Sequence, residues 1–487
     1  MEFRIVHREG VAEPSLSGEV SAHVSSAAGD VVDRGATGAF SLLQRCFGDP
    51  VMADIFSEAA MVRSWLDVEA ALALTQGELG LIPADHAAAI AAACAGADID
   101  HSQVWAGTGN VGYPILPLVR ALSELLPDGP DGSVHLGATT QDIMDSGLAL
   151  QLRRAVDRAA DVAIQLGDQV AELVTEHAAT VMVGRTHAQQ ALPITLGGKL
   201  AVFLTQVGEG LTDLVRVRER VAIVSLHGAV GTSAGFRGHG EAIRTGVGQR
   251  LGLTVPVGPW HVARDGLVAY GAAMASLSTV CLRLAREVID LSRTEVGEVR
   301  ERGGHLRGAS STMPQKANPI DAEVTVGFAT AASSCMPALY RAMEAGHERS
   351  AGEWQIEWHV LPQLSTLTAG ALTSATRMLS GVAVDRNRMA VNLELERGRL
   401  LAEAYMLRLA ERLGRERAHD VVYAAAMRSR TEDVSLELAL SEELGGDPVE
   451  RIDPDGYLGE ASQFAALAVE SWRRDRRDHL AALRRTP

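Results

Sequence analysis

A spacing constrains this chain of 487 residues more than anything else in it. Leu152, Val156, Ala159, Ala163, Leu166, Val170 and Leu173 fall at alternating steps of four and three, which puts them on one face of a single long helix. The spacing returns at Leu200, Leu204, Val207, Leu211 and Leu214, and again at Leu267, Tyr270, Met274, Leu277, Cys281, Leu284, Val288 and Leu291. Helices this long cannot leave such stripes in water. Each must lay its seam against the others, so the spacing predicts an elongated helical bundle, with a further pair of helices at about 320–345 and 353–383. Composition points the same way: 47% of residues are hydrophobic but only 4% aromatic, and alanine and leucine outnumber the residue types that strands prefer.

The expected fold class is all-α, and the length leaves room for roughly three domains. Residues 1–38, rich in Ser, Gly, Ala and Val without a clear period, read as an N-terminal extension. Residues 39–146 read as an N-terminal helical domain, with amphipathic stretches from Asp54 through Gly80 and from Pro83 to Ala95. The central long-helix bundle takes 147–384, and the shorter, more charged helices of 385–487 form a C-terminal helical domain. Broad seams of this kind commonly complete their cores with neighbouring subunits, so an oligomer is expected.

Several function classes are disfavoured. A formal net charge of -16, with no long Lys or Arg run, speaks against a nucleic-acid partner. Charges interrupt the apolar residues of "MEFRIVHREG", and no uninterrupted apolar stretch is read as a membrane span, so a cytoplasmic protein without a membrane partner is expected. Cys46, Cys94, Cys281 and Cys335 are scattered without a C-x-x-C pair, and no H-E-x-x-H occurs among 15 histidines. No metal and no cofactor is implied.

Three polar strings stand apart from the seams. "HLGATTQDIMDS", His135–Ser146, reads as a helix start capped by Thr139, Thr140 or Asp142, although hydroxyls and free amides there also suit a carboxylate. "GRTHAQQALPITLG", Gly184–Gly197, sets His187 in a loop between two long helices; it is either a solvated histidine or a proton carrier. "GASSTMPQKANP", residues 308–319, has neither helical period nor strand alternation and reads as a chemically dressed loop.

Together these strings resemble the signature segments of the fumarase/aspartase superfamily, which includes argininosuccinate lyase, adenylosuccinate lyase and 3-carboxy-cis,cis-muconate cycloisomerase. "SSTMPQKANP" is similar to the signature S-S-x-M-P-x-K-x-N-P at every fixed position, and the likeness runs from about residue 40 to the C-terminus. One departure is Ala309, where the family has glycine before the first serine. The resemblance implies three helical domains around a long central five-helix bundle, and a homotetramer whose active sites each draw on three subunits. It implies an anti β-elimination that releases fumarate from a small succinyl dicarboxylate. By the same resemblance Ser310 is the base that takes a proton from carbon, while Lys316 and Asn318 hold the carboxylate on which charge develops. Thr139, Thr140 and Gln141 would bind the second carboxylate, and His187 would lie near the departing group. Arg264 in "PWHVARD" and Arg349 in "HERS" would supply anion-binding charge, or else form salt bridges between helices.

Within the family, "DPVMADIFSEAAMVRSWLDVEAALALTQGELGLIP", "PWHVARD", "HERSAGEWQIEWHVLP" and "LGRERAHDVVY" look like the bacterial cycloisomerase branch. The histidine after "RT", His187, is instead a feature of carbon-nitrogen lyases. The Arg-Tyr pair usual in adenylosuccinate lyase is absent from "QRCFGDPVMADIF". The resemblance therefore implies a lyase with a nitrogen leaving group, such as nitrosuccinate lyase. A cycloisomerase forming a lactone within its substrate, and a non-catalytic structural relative, are the alternatives.

Overall fold

In the computed structural model, which describes residues 41–96, 98–305 and 307–483, the three seams become the buried faces of three long helices. The extension expected over residues 1–38 lies outside the described residues. We label the helices that position the site α1 (Glu58–Glu78), α2 (Thr140–Glu176), α3 (Leu196–Val221), α4 (Asp265–Leu291), α5 (Ile320–Ser333), α6 (Glu353–Ser380) and α7 (Ala461–Leu483). Helices α2 to α6 form the central five-helix bundle of an all-α fold, and every seam residue is buried in its core except Leu173, which is half-buried. The one polar tip on a seam is satisfied internally, since the Tyr270 hydroxyl meets Ser365 Oγ at 2.6 Å.

Helix α4 corrects one expectation. It is long and apolar enough to cross a membrane, with a mean hydropathy of 1.5 over its best window, but 61% of that window is buried inside the bundle. Its apolar surface faces neighbouring helices on several sides, which is what an all-round hydrophobic core helix requires.

Helix breaks appear where local chemistry offers a cap. The stretch expected from Asp54 through Gly80 is interrupted: a short helix, Pro50–Ile55, ends, and extended Ser57 starts α1 by accepting the Ala60 N–H at 3.2 Å. The helix expected over 320–345 stops at Ser333 and resumes at Met336, where Pro337 occupies a first-turn position that needs no N–H.

The segment around Pro193 is a β-hairpin rather than a loop. Strands β1 (Val181–Thr186) and β2 (Gln189–Thr195) pair antiparallel, with Val181 opposite Thr195 and Thr186 opposite Gln189. His187 and Ala188 form the two-residue turn with φ of 49° and 61°, the left-handed geometry that matches strand twist.

Two segments cross the divisions drawn from the sequence. Residues 222–253 lend Val224, Phe236, Ile243 and Val247 to the core built on α1 and the start of α2. Helix α7 leaves the C-terminal core of residues 400–452 and returns to α2 and α3, inserting Ala465, Val469 and Trp472 into the bundle. Gly167 admits it, because a Cβ there would collide with the Trp472 ring, and Trp472 Nε1 donates to Asp168 at 2.9 Å.

Candidate active site

The candidate residues fall into three groups, each placed by a different element. The first lies at the start of α2. Thr139 is the N-cap, and its amide donates to Asp142 Oδ2 at 3.1 Å. Asp142 is buried and also accepts the N–H groups of His227 at 3.0 Å and Gly228 at 2.9 Å, so it clamps the 227–228 backbone to the helix start. Burial pushes its carboxyl above the usual range despite those amides. Thr140 follows as the first helical residue.

Gln141 is a hub. Its Nε2 donates to the His261 carbonyl at 2.9 Å and to Asp145 at 3.2 Å, and its Oε1 accepts from Arg349. Arg349 also donates to the carbonyls of Gly228 at 2.8 Å and Ala229 at 2.9 Å. Gln141 and Arg349 therefore converge on each other, and the 228–229 backbone is held beside them.

Arg264 belongs to a different chemistry. It is 3% exposed and forks between Asp145, at 2.8 and 3.1 Å, and Glu357, with Nε to Oε1 at 2.8 Å. Its guanidinium also lies 4.8 Å from the centre of the Trp260 ring. Of the two readings left open by the sequence, the inter-helix salt bridge is the one the geometry supports: with both edges of its planar fork on protein carboxylates, Arg264 has no free edge for a substrate. Burial opposes its charge, but Asp145 and Glu357 hold its pKa above the ordinary value.

The second group is the loop before α5. Gly308, at φ 69°, accepts the Asn318 amide at 2.9 Å and Asn318 Nδ2 at 3.1 Å, which pinches the loop at its neck. A Cβ at 308 would stand 2.6 Å from the Asn318 carbonyl, so the neck requires its glycine at 308 and tolerates Ala309 beside it. Below the neck, Arg307 and Arg377 hold Asp321, and Glu301 accepts the Asp321 and Ala322 amides at 3.1 and 2.7 Å. Within the loop, Ser310 Oγ accepts the backbone N–H groups of Met313 at 3.1 Å and Thr312 at 3.3 Å. Lys316 is exposed and makes no ion pair among the described residues.

The third group is His187, exposed at the hairpin tip. The base of that hairpin is fixed by Arg185, which pairs bidentately with fully buried Glu298 at 2.7 and 2.8 Å. Among the described residues no hydrogen bond or ion pair joins the three groups to one another.

Sequence reasoning missed five residues around the first group: Asp142 in its clamping role, Asp145, Glu357, His227 and His261. Asp142 and Asp145 stood inside a quoted string, and His261 three positions before Arg264, but only the fold places them together. His227 and His261 are 4% and 6% exposed, and among the described residues His227 Nδ1 and His261 Nε2 are buried without a partner. Burial, then Arg244 and His261, lower the His227 pKa to about 4, so it is a neutral imidazole beside the Arg349–Gln141 pair. Gly231, at φ 81°, carries the chain past the His261 ring, where a Cβ would come within 2.8 Å of Cε1.

This arrangement offers a hydroxyl held by two amides, a free ammonium six residues on, an arginine paired with a glutamine, and an exposed imidazole. Comparison with known proteins bears on its use. A family model described as lyase matches residues 48–333. The 3-carboxy-cis,cis-muconate cycloisomerase of Pseudomonas aeruginosa is 39% identical over 428 residues, covering 86% of this chain and 93% of its own. The N-acetyl-S-(2-succino)cysteine lyase of Dickeya dadantii is 33% identical over 431 residues, covering 87% of this chain and 95% of its own. The crystal structure of the 3-carboxy-cis,cis-muconate lactonizing enzyme from Pseudomonas putida superposes with a TM-score of 0.82 at 37% identity, covering 89% of this chain and 99% of that one.

Proposed function

The chain belongs to the fumarase/aspartase superfamily of lyases, and on that premise we propose that it releases fumarate from a small succinate- or aspartate-derived dicarboxylate by anti β-elimination of a nitrogen group. The observation that carries this reading is the setting of Ser310. A serine hydroxyl is a poor base in water, and its alkoxide needs donors already aimed at the oxygen. The Met313 and Thr312 amides are such donors, and the Lys316 ammonium adds a charge that water exclusion would strengthen.

In the proposed reaction Ser310 takes the proton from the carbon beside one carboxylate, and that carboxylate becomes a dianion held by Lys316 and by the Asn318 amide hydrogen left free at the loop neck. Thr139, Thr140, Gln141 and Arg349 hold the second carboxylate, and His187 serves the departing group. A homotetramer whose subunits each lend one of the three groups to a shared site would explain why they lie apart in one chain. Nitrosuccinate is the small test substrate of this class, favoured by His187.

Cycloisomerisation of carboxymuconate is the second reading, favoured by the identity with cycloisomerases over most of the chain. Incubation with nitrosuccinate, aspartate, argininosuccinate and carboxymuconate separates the two, by fumarate absorbance on one side and lactone formation on the other. Fumarate is expected; lactone from carboxymuconate with fumarate from none of the others overturns the elimination. Ser310→Ala should lower kcat about a thousandfold, and full activity in that variant would also remove the chemistry assigned to the loop.

A further inference from the structure

Four of the chain's six tryptophans, Trp65, Trp105, Trp354 and Trp358, line one cavity of about 230 Å3. Trp65 and Trp105 meet edge to face at 6.2 Å, Trp354 and Trp358 at 5.0 Å, and Tyr113 stacks on Trp354 at 5.9 Å. In a chain with 4% aromatic residues, four indoles are gathered around one hollow that opens to solvent at Trp358. Among the described residues Trp105 Nε1 is buried without a partner, and Trp358 remains 37% exposed.

The cavity adjoins the carboxylate cluster. Its lining includes Asp145 and Glu357, the two acids that grip Arg264, and Asp145 accepts from Gln141. Met144, Asp145 and Leu148 line it from the face of α2 that also carries Gln141, at steps of three and four. Ser350, next to Arg349, accepts the amide of Trp354, a lining residue, at 3.2 Å. A dicarboxylate held by Gln141 and Arg349 thus has an indole-walled chamber beside it.

We propose that this chamber receives the departing portion of the substrate, and that the departing portion is an amine bearing an aromatic or similarly bulky apolar group. The inference rests on the lyase reading and narrows its leaving group. The indole faces of the chamber favour an organic ammonium, with its apolar group, over a compact anion such as nitrite. In the step implied, an N-substituted aspartate enters as its ammonium form. Ser310 takes the proton from the carbon beside one carboxylate, that C–H pair becomes the C=C bond, and the C–N bond breaks with its electrons on nitrogen. The released amine takes a proton from His187 on the opposite face, and Ser310 returns its own proton to water, so the products are fumarate and an alkylammonium ion.

The full-length protein is assayed for fumarate with N-benzylaspartate, N-methylaspartate, aspartate and nitrosuccinate. The expected result is a kcat/KM at least tenfold higher for the benzyl compound than for the methyl compound or nitrosuccinate. Leu148→Trp, which fills the chamber, should lower the benzyl-to-methyl ratio at least tenfold. Saturable quenching of intrinsic tryptophan fluorescence by benzylamine, weakened in Leu148→Trp, reads the chamber without turnover and shows that the variant is folded. Fumarate formed best from nitrosuccinate, or an unchanged ratio in folded Leu148→Trp, overturns the proposal and leaves the lyase reading standing. Fumarate from no compound overturns the lyase reading; benzylamine binding that Leu148→Trp does not weaken overturns the chamber.

Discussion

The two regions that carry the candidate chemistry are built on opposite principles. Around Arg264 every charge is buried and matched: guanidinium, Asp145, Glu357 and Gln141 form one network with almost no exposure. Around Ser310 the loop is largely exposed, closed at its neck by the Gly308–Asn318 pair, and Lys316 has no ion-pair partner among the described residues. A guanidinium with both edges on protein carboxylates can hold helices but has no edge left for a ligand. An under-committed loop contributes little to folding and has donors to offer. On the proposed reading, α2, α4 and α6 position and the loop reacts.

The hardest blow to this contrast is Arg264→Ala. Removing one partner of a buried ion pair leaves uncompensated charge, and urea unfolding should show a loss of about 4 kcal/mol; a loss under about 1 kcal/mol would mean the network is no scaffold. Lys316→Ala should do the reverse, raising the reaction barrier by about 3 kcal/mol with an unchanged unfolding midpoint. Loss of both stability and turnover in either variant would merge the two regions into one.

The histidine beside the network gives a pH test. His227 has its folded pKa lowered to about 4, while the unfolded side chain titrates near 6.5. Between those values the unfolded state binds the proton and the folded state does not, so stability is full above about 6.5 and is lost as pH falls toward 4, by about 3 kcal/mol. The unfolding free energy of His227→Gln should accordingly fall less steeply over that window than that of the parent; parallel slopes would place the ring in water. The smallest effect concerns the hairpin. Ala188→Gly relieves a left-handed alanine and should stabilise by about 1 kcal/mol, read from the urea midpoint, with no change at all if the turn carries no strain.

Legibility followed the range of the interactions. The seams on α2, α3 and α4 could be read because helix burial repeats every three or four residues along one segment. The Ser57 break was missed because a single cap outweighed a continuing apolar pattern. The hairpin was missed because Val181–Thr186 and Gln189–Thr195 are short and Pro193 argues against a strand. The loop motif at 308–319 marked Ser310, Lys316 and Asn318, yet nothing local said that Asn318 closes the neck or that the Thr312 and Met313 amides turn toward Ser310. Helix α7 reads as part of a C-terminal domain until Gly167, some three hundred residues earlier, is seen to receive Trp472.

By itself the sequence determined the helical class, the bundle and its buried faces, and the polar strings in which chemistry could reside, since each depends on residue type and spacing within one stretch of chain. Only the tertiary structure decided that Arg264 is held by Asp145 and Glu357, that Arg349 meets Gln141, that two histidines lie buried with a nitrogen each unpartnered among the described residues, and that four tryptophans surround one hollow. Those outcomes depend on which distant segments become neighbours. Once buried, a charge or a hydrogen-bonding atom is governed by whatever partner the packing brings to it, and no local pattern encodes that partner.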